Sequence, residues 1–169
     1  MRTLLVSVVA AVCASLLLAA ATTDPVYGQL WLYQGTWHVT PNGRPAGTKA
    51  DILVNQCALV GKYFACQQTV NGSVSALVVY IPTGQPGRFH NQAILASGRA
   101  GGLGELEISG DRWVYSNGQL EGGKTKHFRN INVFSGKNKI HYEQSESWDE
   151  KDWKVTGSGD EVRVTDGSK

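Results

Sequence analysis

The stretch NQCALVGKYFACQQ, Asn55 to Gln68, decides the fold. Two cysteines stand on either side of a Val-Gly-Lys step. Gly61 in the first position of a two-residue Gly61-Lys62 loop is what a type II′ hairpin turn requires. Counting outward, Val60 faces Tyr63, Leu59 faces Phe64, Ala58 faces Ala65 and Cys57 faces Cys66. That places the cysteines on a non-hydrogen-bonded pair, with Cα atoms about 4.5 Å apart. Disulfides usually join Cα atoms about 4.4–6.8 Å apart. The count therefore predicts a hairpin clipped by a Cys57–Cys66 disulfide. Zinc would ask for C-x2–4-C or histidines at short spacing. The four histidines, His38, His90, His127 and His141, are scattered singly, so no metal site is predicted. A catalytic cysteine would need its partner free, and here the partner is opposite it.

A disulfide belongs to an oxidising compartment, and the start of the chain supplies a route there. Arg2 is followed by an apolar run from Leu4 to Leu18, then by Ala19 and Ala21 in an A-x-A arrangement. The run is short of the about 20 residues that span a bilayer and lacks a basic stop-transfer flank. Residues 1–21 are read as a signal peptide cleaved after Ala21, leaving residues 22–169 as one exported domain, periplasmic or extracellular. The chain's formal charge of +2 less Arg2 leaves +1. No basic stripe appears, so nucleic acid is not an expected partner. No later segment is apolar enough to be an integral membrane span.

Outward from the hairpin, turn signals recur between β-branched and aromatic runs, the pattern of an all-β sandwich or barrel. Asn71-Gly72 is a type I′ signal. Pro82 to Gly87, "SGDR", Ser135 to Asn138 and Asp149 to Asp152 mark later turns. The stretch from Val26 to Gln34 has room for one short turn of helix. The expectation is an antiparallel up-and-down meander of about nine to ten strands, whose edges are best removed by closing into a barrel.

At Leu32 to Trp37, LYQGTW, the chain resembles the calycins, the superfamily of lipocalins, fatty-acid-binding proteins and nitrobindin-like haem barrels. Along its length it resembles bacterial exported calycin-like proteins without an assigned activity. The resemblance implies structural roles for Gly35 and Trp37, with Arg163 on the last strand packing over the indole. It also implies a barrel interior that binds a small, largely apolar molecule. Two features depart from the pattern. The meander has more strands than the lipocalin eight, and "HVTPNG" replaces the Gly-x-Gly that follows Trp in nitrobindins.

Centring the late hairpin on Gly136-Lys137 sets Val133 against Ile140, Ile131 against Tyr142, Arg129 against Gln144 and His127 against Glu146. Centring the next on Glu150-Lys151 adds Trp148, Trp153 and Val155 to the same face. This face is expected to point inward, with Asn130, Asn132, His141, Glu143 and Ser145 solvated. Leu106, Ile108, Trp113 and Tyr115 also point inward; Glu105 and Glu107 point outward. The candidate ligand-binding set is therefore His127, Arg129, Tyr142, Gln144 and Glu146, polar groups that orient one end of a ligand or merely pair across the sheet. No cofactor is expected. Haem enters only through the calycin resemblance, with His127, His90 or His141 as ligand and His127 favoured by this assignment. No catalytic residue is assigned: no carboxylate pair falls in an apolar pocket, RAGGLGE lacks the Gly-Lys-Ser/Thr of a phosphate loop, and GSVSA is not a nucleophile elbow. The alternatives to a binding barrel are a packed envelope structural or interaction protein, or a barrel-interior isomerase or cyclase using His127 and Glu146.

Overall fold

The computed structural model describes residues 24–165. The expected signal peptide, residues 1–21, lies outside the described residues. Two 3-10 turns, Pro25–Tyr27 and Leu30–Tyr33, precede ten strands: β1 (Gly35–Pro41), β2 (Asp51–Val60), β3 (Tyr63–Val70), β4 (Ser73–Pro82), β5 (Arg88–Leu95), β6 (Ala100–Ser109), β7 (Arg112–Glu121), β8 (Lys124–Ser135), β9 (Lys139–Ser147) and β10 (Lys154–Arg163). Each strand pairs antiparallel with its sequence neighbour, and β1 pairs with β10, closing a ten-stranded barrel. Closure leaves no edge strand to template aggregation. The architecture is consistent with a calycin-like barrel.

The founding hairpin forms in the expected register, from Val60↔Tyr63 to Cys57↔Cys66. Gly61 takes a φ of 63° that a side chain would resist. Cys57 and Cys66 are joined, with Cα atoms 4.0 Å apart. Cys66 is buried, so the sulfurs face the interior. Closing so short a loop contributes roughly 2–3 kcal/mol in the chain-entropy model. A Cys57→Ser, Cys66→Ser double variant is expected to lose about that much in urea unfolding. An unfolding free energy unchanged in the double variant would refute the clip's role.

The late hairpin corrects the sequence reading. Its loop has three residues, Gly136 to Asn138, so Ser135 pairs with Lys139 and Phe134 with Ile140. Every β8 partner therefore shifts by one, and a one-residue shift turns a strand's side chains over. Asn130, Asn132 and Phe134 face in; His127, Arg129, Ile131 and Val133 face out. The next loop is corrected too. Lys154 pairs with Glu146 and Val155 with Ser145, and a bulge at Thr156 restores the counted register from Gly157↔Gln144 onward. Trp148 and Val155 are exposed, and Trp153 lies outside the wall under Arg129.

The core sits at one end, the base. Tyr27 and Leu30 from the 3-10 turns are fully buried there against Phe64, Phe89, Leu106 and Trp113. Tyr27 lies 5.7 Å from Phe64 and 6.0 Å from Phe89, ring to ring. Its hydroxyl donates to the Lys62 carbonyl at 2.6 Å, tying the plug to the founding turn. Trp37 is buried beneath Arg163, whose guanidinium carbon is 4.1 Å from the indole centroid. Arg163 donates to the Lys137, Gln34 and Leu32 carbonyls. Gly35 has a φ of 124°, and a Cβ there would stand 2.7 Å from the Arg163 guanidinium. The Gly-x-Trp spacing thus leaves room for the arginine to lie over the ring.

Candidate functional site

With the base filled, the interior opens toward the other end. Its floor is built of aromatic hydroxyls and amides. Asn132 donates from Nδ2 to the Tyr33 hydroxyl, and Asn130 donates from Nδ2 to Asn132 Oδ1 at 3.0 Å. The Tyr80 and Tyr115 hydroxyls are 3.4 Å apart. Burial raises the Tyr33 and Tyr115 hydroxyls well above the ordinary tyrosine range and pushes Tyr80 up to about 12. All three remain neutral hydroxyls at physiological pH. Above them a cavity of about 290 Å3 is lined by Asn91, Tyr115, Asn117, Phe128, Asn130 and Gln144, with wall atoms of Ser116, Arg129, Ser145 and Thr156. The strand order puts Asn91, Gly104, Asn117 and Phe128 in one inward row on β5 to β8. A Cβ at Gly104 would collide with Asn91 Oδ1, so this glycine makes room for the amide.

Several interior polar atoms lack partners. Asn55 Nδ2, Asn130 Oδ1 and Glu161 Oε2 are buried without a hydrogen bond. Asn55 does accept from Gln68 Nε2 at 3.0 Å, which leaves its own amide N–H groups facing inward. An unsatisfied buried group costs about 1–3 kcal/mol, and such groups mark places that a ligand or ordered water completes. Glu161 shares an inward row with Val39 and Ile140, and burial raises its carboxyl to about 7. At the mouth, Lys126 bonds Glu146 at 2.8 Å and lies 3.9 Å from Glu121, over the rings of Phe128 and Trp148.

No protein-family model matches the chain, and no curated protein matches it. Among solved structures, the chain is similar to Rv2717c from M. tuberculosis. The TM-score is 0.49 and the identity 14%, over 84% of this chain and 99% of that one. At that distance the likeness carries no functional argument.

The five residues singled out from sequence do not form one site. Tyr142, Gln144 and Glu146 face inward; of the five, Gln144 and, from the wall, Arg129 line the cavity. Tyr142 lies against Gly159, where a Cβ would stand 2.7 Å from its hydroxyl. Glu146 is engaged by Lys126 at the rim. His127 and Arg129 lie on the outer wall, His127 Nδ1 3.3 Å from Glu150 and Arg129 stacked on Trp153. The other histidines also sit on outward positions: His38 and His141 are exposed, and His90 follows inward Phe89. No histidine faces the interior, so His127 does not take the place that the sequence reading gave it as a haem ligand. Among the described residues, no cluster of three or more His, Cys, Asp and Glu could hold a metal ion. None of their helices is long and apolar enough to cross a membrane.

The sequence reading missed Tyr33, Tyr80, Asn91, Asn117, Asn130 and Glu161. One signal was present. Phe128 and Phe134 share parity with Asn130 and Asn132, so the two largest apolar residues of that strand already marked its inward face.

Proposed function

We propose that the chain is an exported binding protein whose interior takes a small, uncharged, hydrogen-bonding ligand. One observation carries the reading: the open part of the barrel is lined by amides and neutral hydroxyls, while the apolar part is filled by the protein's own aromatic core. A ligand that entered the base would have to displace Tyr27, Leu30 or Trp113. A ligand rich in hydroxyls or amides would meet Asn91, Asn117, Asn130 and Gln144, with one face against Phe128 and Tyr115. About 290 Å3 suits a molecule of one ring, near the small end of ligand pockets. The disulfide supports export, since such bonds persist in oxidising compartments.

The test is a titration of neutral monosaccharides, nucleosides and short amides, followed through the side-chain NH2 resonances of Asn and Gln in the proton–nitrogen spectrum. Saturable shifts at Asn130 and Gln144 are expected. Asn130→Ala and Gln144→Ala should each weaken binding by about tenfold, one hydrogen bond's worth. Binding of fatty acids instead, with the amide resonances unmoved, would overturn the reading. An interaction role is supported by a different feature: Val60, Tyr63, Leu77, Ile81 and Ile94 are exposed along the β2–β5 wall, an apolar stretch of the kind that partners cover.

A further inference from the structure

Arg129 differs from the chain's other half-buried arginines. Arg44 is paired with Asp51, and Arg163 donates to three carbonyls. Arg129 has no hydrogen bond and no ion pair, and its Nε is buried without a partner. Its guanidinium carbon is held 4.1 Å from the centroid of Trp153. Trp153 is itself fixed, donating from its indole nitrogen to the Glu150 carbonyl at 3.0 Å. The arginine is thus orientated before any anion arrives, which reduces the entropy lost on binding.

Its surroundings form a groove on the outer wall. Arg129 pairs across the sheet with Ser116 on β7 and Ser145 on β9, and Ser145 Oγ is buried without a partner. The loop from Trp148 to Trp153 folds back over this wall, which is why outward-facing Ser145 and Ser147 are buried. The resulting cavity, of about 280 Å3, is lined among others by Leu103, Glu105, Ser116, His127, Arg129 and Trp153. Phe128 and Asn130 face the opposite way on β8, and the groove meets the interior cavity along this strand, sharing Ser116, Asn117, Phe128 and Arg129 with it. Glu105 sits opposite Ser116 rather than Arg129, and Glu150 is engaged by His127.

We propose that this groove is a second binding site, for a small carboxylate, with Arg129 as the anion's partner. A guanidinium fork matches a carboxylate with two parallel hydrogen bonds. Ser116 offers a hydroxyl beside it, and Leu103, 59% exposed, offers an apolar surface for the rest of the molecule. Glu105 and Glu150 flank the groove, so a dianion such as phosphate meets more repulsion than a carboxylate does.

The probe is benzoate, titrated into the protein of residues 22–169 at pH 7 and constant ionic strength, with the Trp153 indole N–H resonance, present in parent and variants alike, as readout. A saturable shift is expected. Arg129→Met keeps an unbranched stem over Trp153 and should weaken benzoate binding by at least tenfold, with the thermal midpoint showing that the variant folds. If that variant does not fold, Arg129→Lys serves and should weaken binding by about tenfold, because lysine lacks the planar fork. Benzoate affinity unchanged in the folded variant would overturn the site. Inorganic phosphate binding as tightly as benzoate would overturn the assignment to a carboxylate. Benzoate shifts confined to Asn130 and Gln144 would place the anion in the interior and equally reject the groove.

Discussion

Trp37→Ala is expected to lower the unfolding free energy by about 3–5 kcal/mol, the range for truncating a fully buried tryptophan. At this chain length that corresponds to a fall in thermal midpoint of about 10 °C. The indole is wholly inaccessible, donates to the Tyr33 carbonyl at 3.1 Å and is roofed by Arg163. Removing it opens a cavity under the base plug and leaves Arg163 without its platform. Arg163→Ala acts on the same unit, since three carbonyls lose a charged donor. The two substitutions should therefore be non-additive, the double variant losing less than the sum of the singles. Urea unfolding of the three variants measures this. A loss below about 1.5 kcal/mol for Trp37→Ala would mean that the base repacks without the ring.

Glu161 supplies the second large effect, and its sign is opposite to that of an ordinary surface carboxylate. Burial raises its pKa from 4.5 to about 7 in the folded protein. Between those values the folded state holds a proton that the unfolded state has released. Stability is therefore greatest below about pH 4.5 with respect to this group, falls as pH rises, and levels off above about 7. Each pH unit of the shift is worth about 1.4 kcal/mol, so the whole change is about 3 kcal/mol. Asp51, Asp149 and Asp160 act in the other direction, since hydrogen bonds hold their pKa values below 3.8. Their contribution is lost only as pH falls below that value, outside the Glu161 window. Glu161→Gln isolates the effect: it should stabilise the protein at pH 8 and make little difference at pH 4.5. A stability difference between variant and parent that stays constant from pH 4.5 to 8 would show that the carboxyl is not held protonated.

What the sequence revealed depended on how unambiguous each turn was. At Gly61-Lys62 one glycine stood where one turn type needs it, and the register of ten residues followed. At Gly136 to Asn138 three consecutive residues all favour turns. A two-residue and a three-residue loop fit equally well, and that single residue moved His127 and Arg129 from the interior to the wall. The apolar alternation made matters worse, because Ile131 and Val133 are half-buried outside while Asn130 and Asn132 are inside. The rule that apolar residues mark the inner face assumes an interior packed with carbon. It fails in the half of this barrel that is not. Glu161 and Tyr80 gave no signal for a related reason: each sits in an ordinary strand pattern, and its burial follows from closure of the barrel.

The seam between β1 and β10 has a kinetic consequence. Nine of the ten strand pairings are local hairpins, whereas the tenth joins the two ends of the meander, and Arg163 reaches back 129 residues to Gln34. Contacts so distant along the chain are slow to form. The wall can therefore assemble hairpin by hairpin as an open curl, and the aromatic plug locks only when the last strand zips shut. A circular permutant that joins β10 to β1 and opens the chain at Asn71-Gly72 would make the Arg163 seam a neighbouring pairing and β3–β4 the distant one, so the last zip should move to that seam while the cup stays the same.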